Sequence, residues 1–66
     1  MELTINGKPA RVEGVSTVAE LIAARGLKQG LVAVEQNGEI VPREEFARRG
    51  LRPGDRLEIV HFVGGG

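Results

Sequence analysis

Cysteine, tryptophan and tyrosine are absent from this 66-residue chain, and histidine occurs once, as His61. Without cysteine there is no disulfide, no thiolate nucleophile and no thiolate metal site. A single imidazole does not build a histidine-rich metal cluster, so no metal is expected. An excess of charge of one sign is also missing: nine Lys and Arg balance nine Asp and Glu. Phosphate backbones are bound through a basic excess or stripe, which argues against nucleic acid as the main partner. Long apolar runs are lacking too. No stretch approaches the ~20 residues of a membrane span. Met1-Glu2-Leu3-Thr4 does not open a signal peptide. The expectation is a cytoplasmic protein with no membrane partner.

Catalytic constellations are just as scarce. Ser16 is the only serine, and helix capping accounts for it, so no Ser/His/Asp or Cys/His set can be assembled. No Gly-x-x-x-x-Gly-Lys phosphate loop occurs. Glu44 and Glu45 are neighbours in sequence and point apart on a helix, which disfavours a general acid/base pair. Asp55 and Glu58 read as solvated surface charges near Arg52 and Arg56. His61 reads as a strand-surface residue rather than a proton shuttle.

What remains is one small domain. At this length folding buries only about 60% of the surface the unfolded chain exposes, so the core is thin. Leu3 and Ile5 alternate with Glu2 and Thr4, the period of a half-buried strand. Asn6-Gly7 then favours a tight turn, and Ala10 and Val12 alternate along a return strand. Thr17-Val18-Ala19-Glu20 fits a helix capping box, with Val18, Leu21 and Ile22 on one apolar stripe and Gly26 as the stop. Leu27 should pack back beside Ile22. Leu31-Val32-Ala33-Val34 reads as a strand buried on one or both faces. Asn37-Gly38 makes a second turn before Glu39-Ile40-Val41. Pro42 to Arg49, acidic early and basic late, suits a short helical turn anchored by Phe46. Arg52-Pro53-Gly54-Asp55 is a turn with Pro second and Gly third. The last strand should run from Arg56 to about Val63, with Leu57 and Ile59 facing the helix and Val60 and Phe62 on the other face. The order β-β-α-β-β-turn-β is an α+β layout, a mixed sheet of about five strands with one main helix on one face.

Three consecutive glycines, Gly64-Gly65-Gly66, stand last. At an average usage of about 7%, the chance odds of such a triplet are roughly three in ten thousand. They serve no packing and cost entropy if ordered. A frayed end or a cloning remnant is the plain alternative. The functional reading starts from the carboxylate, a poor electrophile that an enzyme must convert to an acyl-adenylate inside a narrow site. Glycines thread such a site without a Cβ in the way. Val60 and Phe62 form a candidate partner surface on the outer sheet face, unless Phe62 packs locally on the sheet edge.

Four segments carry a resemblance to a known family. They are Leu3-Thr4-Ile5-Asn6-Gly7-Lys8, the helix Thr17-Val18-Ala19-Glu20-Leu21, the central run from Val32 to Arg43, and Asp55-Arg56-Leu57-Glu58-Ile59 with the terminal glycines. Over essentially its whole length the chain resembles the ThiS family, the ubiquitin-like sulfur carriers of thiamin biosynthesis. The central run is the most specific of the four; a terminal Gly-Gly is shared with ubiquitin-like proteins and molybdopterin sulfur carriers. Gly64 is one glycine more than the usual pair.

The resemblance implies a β-grasp fold, with the first and last strands parallel at the sheet centre. It implies a domain over residues 1–63 and a flexible glycine tail over 64–66. Gly66 would carry the carboxylate that an E1-like adenylyltransferase activates with ATP. A persulfide sulfur donor would convert it to a thiocarboxylate for thiazole synthase. Gly64 and Gly65 would line the threaded tail. The chain would then be a carrier acted on by its partners, not an enzyme, and would bind no cofactor itself. Two alternatives stay open: a carrier for molybdopterin or another thiolation pathway, and a β-grasp binding module with an inert tail.

Overall fold

In the computed structural model, residues 1–62 are described; Val63, Gly64, Gly65 and Gly66 lie outside the described residues. Two Asn-Gly turns organise the sheet. Asn6 and Gly7 have φ of 52° and 80°, and Asn37 and Gly38 have 52° and 87°. Positive φ at both central residues is the hairpin turn whose twist matches its strands, and few residue pairs tolerate it. The first turn joins β1 (Glu2–Ile5) to β2 (Lys8–Arg11), and the second joins β3 (Val32–Gln36) to β4 (Glu39–Val41). The last strand, β5 (Arg56–His61), lies between the hairpins, giving the order β2-β1-β5-β3-β4. It runs parallel to β1, with Thr4 opposite Arg56 and Ile5 opposite Leu57, and antiparallel to β3. The parallel centre implied by the resemblance is therefore present.

One helix, α1 (Val18–Ala24), crosses one face of this sheet. Its capping box is complete. The Glu20 N–H donates to Thr17 Oγ1 at 3.2 Å, and Glu20 Oε1 accepts from the Thr17 N–H at 3.2 Å and the Ser16 N–H at 2.6 Å. The cap hydroxyl is thus that of Thr17, and Ser16 contributes through its main chain. The first two helical N–H groups, orphaned in an isolated helix, donate to the Arg49 and Phe46 carbonyls, both at 2.9 Å. The loop after β4 is therefore stitched to the start of α1. At the other end Gly26, with φ of 73°, closes a Schellman motif: Gly26 N–H to Ala23 O and Leu27 N–H to Ile22 O.

The core follows the alternation. Leu3 and Ile5 of β1, Val32 and Val34 of β3, and Leu57 and Ile59 of β5 are buried together with Val18, Leu21 and Ile22 of α1. Leu27 is half-buried against them. Phe46 follows a 3₁₀ turn at Arg43–Glu45 and is 1% exposed, the anchor expected of that segment.

One reading of the strands is corrected. Leu31 is not in a strand: it closes a 3₁₀ turn at Gln29–Leu31 and is exposed, and exposed Ala33 shows that β3 is buried on one face only. β5 ends at His61; the expected continuation to Val63 lies outside the described residues.

Candidate functional site

The residues that carry the expected chemistry, Gly66 with Gly64 and Gly65, lie outside the described residues. The structure does describe the strand that leads to them. β5 sits at the sheet centre with a neighbour on each side, so its course is fixed by two ladders. The Phe62 N–H adds a bond to Leu31 O at 2.7 Å just past the strand's end.

Along β5 the side chains divide by the strand period of two. Leu57 and Ile59 are buried toward α1, whereas Val60 is 55% and Phe62 53% exposed. Both are thus about half exposed. The structure adds a residue that pattern reading passed over: Ile40 of β4, 74% exposed. Ile40 lies opposite Glu35, and Ala33 lies opposite Val60, so these residues share the outer face. Ile40 and Val60 line one shallow hollow with Ala33, and Phe62 borders a second with Pro42 and Arg43. Glu35 and Glu58 face each other across β3 and β5 on the same face. Like charges directly opposite are unfavourable in an isolated sheet.

A further concavity lies at the other end of β5, lined by Gln36, Asn37, Glu39, Arg49, Gly50, Arg52 and Asp55. Its polar groups are engaged with one another. Asp55, read from sequence as a solvated surface charge, is instead buried. Its carboxylate accepts from Gln36 Nε2 at 2.9 Å, Asn37 Nδ2 at 3.0 Å and the Arg52 N–H at 2.9 Å. The bonds tie the Asn37-Gly38 turn to the turn before β5. Arg49 braces the rim, with Glu45 at 2.9 Å and Glu39 at 3.8 Å. Among the described residues no buried side-chain polar atom lacks a partner. This hollow is a structural knot.

Burial pushes the Asp55 carboxyl up, but the bonds from Asn37, the Arg52 N–H and Gln36, with the Arg52 charge, outweigh it and hold the group below the usual carboxylate range. The unfolded chain therefore binds this proton more readily. The resulting stabilisation is present above the ordinary Asp value of about 3.9 and is lost as pH falls through it toward the folded value. Asp55→Asn should cost about 1–3 kcal/mol at neutral pH, because its amide donor meets groups that also donate. Urea melts across pH 2–7 check this: the variant should lose less stability on acidification than the parent. Equal acid slopes would refute the assignment.

Among the described residues no group of three or more His, Cys, Asp or Glu is placed to hold a metal ion, and no helix is long and apolar enough to cross a membrane. Glu44 is exposed and Glu45 pairs with Arg49, so the two share no site. His61 is exposed at the end of β5.

A mixed five-stranded sheet with parallel first and last strands and one helix across a single face defines a ubiquitin-like β-grasp domain. The family model described as the ThiS family matches residues 3–66. The crystal structure of a thiamine biosynthesis protein (ThiS) from Geobacter metallireducens superposes with a TM-score of 0.83 at 45% identity, covering 100% of both chains. The sulfur carrier protein ThiS of Bacillus subtilis is 40% identical, covering 97% of this chain and 98% of that one. A thiazole synthase of Paramagnetospirillum magneticum is 44% identical over the whole chain, which spans only 20% of that relative's length. The chain belongs to the ThiS family.

Proposed function

We propose that this chain is a sulfur carrier of thiamine biosynthesis and that the carboxylate of Gly66 is the group its partners modify. The observation that supports this most directly is the family match, which spans the fold and runs through the glycines to residue 66. An E1-like adenylyltransferase would bind the domain and draw residues 64–66 into its ATP site. The Gly66 carboxylate oxygen attacks the α-phosphate, and pyrophosphate leaves. The outer sulfur of a persulfide then attacks the acyl carbon and AMP departs. Cleavage of the resulting S–S bond by a thiol leaves the thiocarboxylate. Thiazole synthase would be the acceptor. Relatives named thiazole synthase contain, within one polypeptide, a stretch similar to this whole chain, which supports such a pairing. The thiamine assignment rests on a match to this family across nearly the full length of its Bacillus subtilis member, which disfavours the molybdopterin alternative. A body on residues 1–63 and a threading end on 64–66 belong to the same proposal, as does a cytoplasmic site of action.

Intact-mass measurement tests the chemistry. After incubation with ATP, a persulfide donor and the activating enzyme, the chain should gain the mass difference between sulfur and oxygen. An unchanged mass would favour an inert-tailed binding module.

Val60 and Phe62, joined by Ile40, are proposed as the surface gripped by the activating enzyme. A half-exposed aromatic ring covered on docking is worth ~1–2 kcal/mol, so Phe62→Ala should raise the KM for adenylation roughly 5- to 30-fold at nearly constant kcat. Steady-state pyrophosphate release measures this, and an unaltered KM would remove Phe62 from the interface.

A further inference from the structure

The two Asn-Gly turns do more than reverse the chain. At φ of 52° either asparagine position would be served by glycine. Yet both side chains reach β5. Asn37 holds the start of the strand, its Oδ1 accepting from the Arg56 N–H at 2.9 Å. Asn6 holds it three residues further on. Its Oδ1 accepts from the Ile59 N–H at 2.8 Å, and its Nδ2 donates to Ile59 O at 3.1 Å.

The place of that second grip is informative. On its β1 side, β5 is bonded through alternate residues: Thr4 N–H to Asp55 O, then Asn6 N–H to Leu57 O, both at 2.9 Å. There the first strand turns away at Gly7 and has no further peptide to offer. The Asn6 carboxamide supplies both a donor and an acceptor to Ile59 and so copies the missing peptide group. It extends the parallel ladder by one rung. On the other side β3 keeps its pairing as far as His61. Ile59 is therefore the last point among the described residues at which β5 is held from both sides.

We propose that Asn6 is a positioning residue: its carboxamide sets the direction in which the chain leaves the sheet toward the C-terminal glycines, and so how that end is presented to an activating enzyme. The presentation half rests on the carrier reading above; the direction-setting half does not.

Asn6→Gly keeps the turn's positive φ and deletes the carboxamide. Asn37→Gly is the matched control, since it removes the corresponding side chain from the opposite turn. Native-state hydrogen exchange of the Ile59 amide is compared with that of Val60, which bonds toward β3. In Asn6→Gly the Ile59/Val60 exchange ratio should rise about tenfold, whereas Asn37→Gly should leave it unchanged. Adenylation of Asn6→Gly should show KM raised about tenfold with kcat nearly unchanged, because a less directed end loses more freedom on threading. An unchanged exchange ratio overturns the proposal whatever the kinetics, and so does a changed ratio with the parent's KM. If the parent itself is not adenylated, the carrier reading fails, and the exchange ratio alone decides for or against Asn6. Should Asn6→Gly not fold, Asn6→Asp, which keeps the acceptor for the Ile59 N–H but loses the donor to Ile59 O, is read by KM alone: a raised KM at nearly constant kcat supports the proposal, and the parent's KM overturns it.

Discussion

Converting the Gly66 carboxylate to a primary amide should abolish thiocarboxylate formation and leave thermal unfolding unchanged. The proposed first step needs an anionic oxygen to attack ATP, and a neutral amide offers none at the same position. A loss of at least ~10³-fold is expected, about 4 kcal/mol of transition-state stabilisation. Deleting Gly66 is a milder form of the same experiment. A carboxylate is still present on Gly65, but it stops about 3.5 Å short of the reacting phosphate. Displacements of only ~1 Å cost on the order of 10²-fold in enzyme sites, so a large loss is expected here too. Intact-mass analysis reads the product, and circular dichroism melting checks the fold. Sulfur loading of the amidated chain at the parent's rate would end the proposal.

Leu57→Ala should produce a large stability loss. Leu57 is fully buried on the central strand, with β1 on one side and β3 on the other. Removing a buried leucine side chain costs about 2–5 kcal/mol through lost transfer energy and the cavity left behind. A domain of this size has roughly 3–10 kcal/mol in total. One such substitution therefore takes up a large part of the whole, and the melting temperature should fall by roughly 10–30 °C. Val60→Ala, on the same strand but the outer face, should stay within about 0.5 kcal/mol of the parent. Similar melting losses for the two substitutions would contradict the assignment of inner and outer faces.

What could be read from sequence was what is local. Thr17 and Glu20 stand three apart, and the capping box they form needs nothing else. Gly26 ends α1 through its own backbone freedom, and both Asn-Gly pairs make the turns their chemistry favours. Phe46 was legible as an anchor because a large apolar side chain in a charged segment has few places to go. Asp55 was misread because its partners Gln36 and Asn37 lie far back along the chain, and periodicity is blind to them. Gln36 itself, polar and buried, follows from the same knot. Leu31 was placed in a strand because four apolar residues in a row carry no mark of where a 3₁₀ turn hands over to extended chain. Ile40 went unremarked because its exposure depends on which face of an edge strand meets α1. The candidate site divides in the same way. The glycines announce themselves by composition, whereas the grip of Asn6 on Ile59 depends on strands from opposite ends of the chain lying side by side.

That adjacency also orders events during synthesis. The inner edges of the two hairpins, β1 and β3, are both completed by β5, which is made after both of them. Contacts so distant along the chain form late, because closing a long loop comes before any reward from pairing. A nascent polypeptide stopped before β5 has two hairpins and a helix with no central strand to join them. Interrupted translation products should therefore remain unfolded and open to proteases, and would not compete with the finished molecule for its partners.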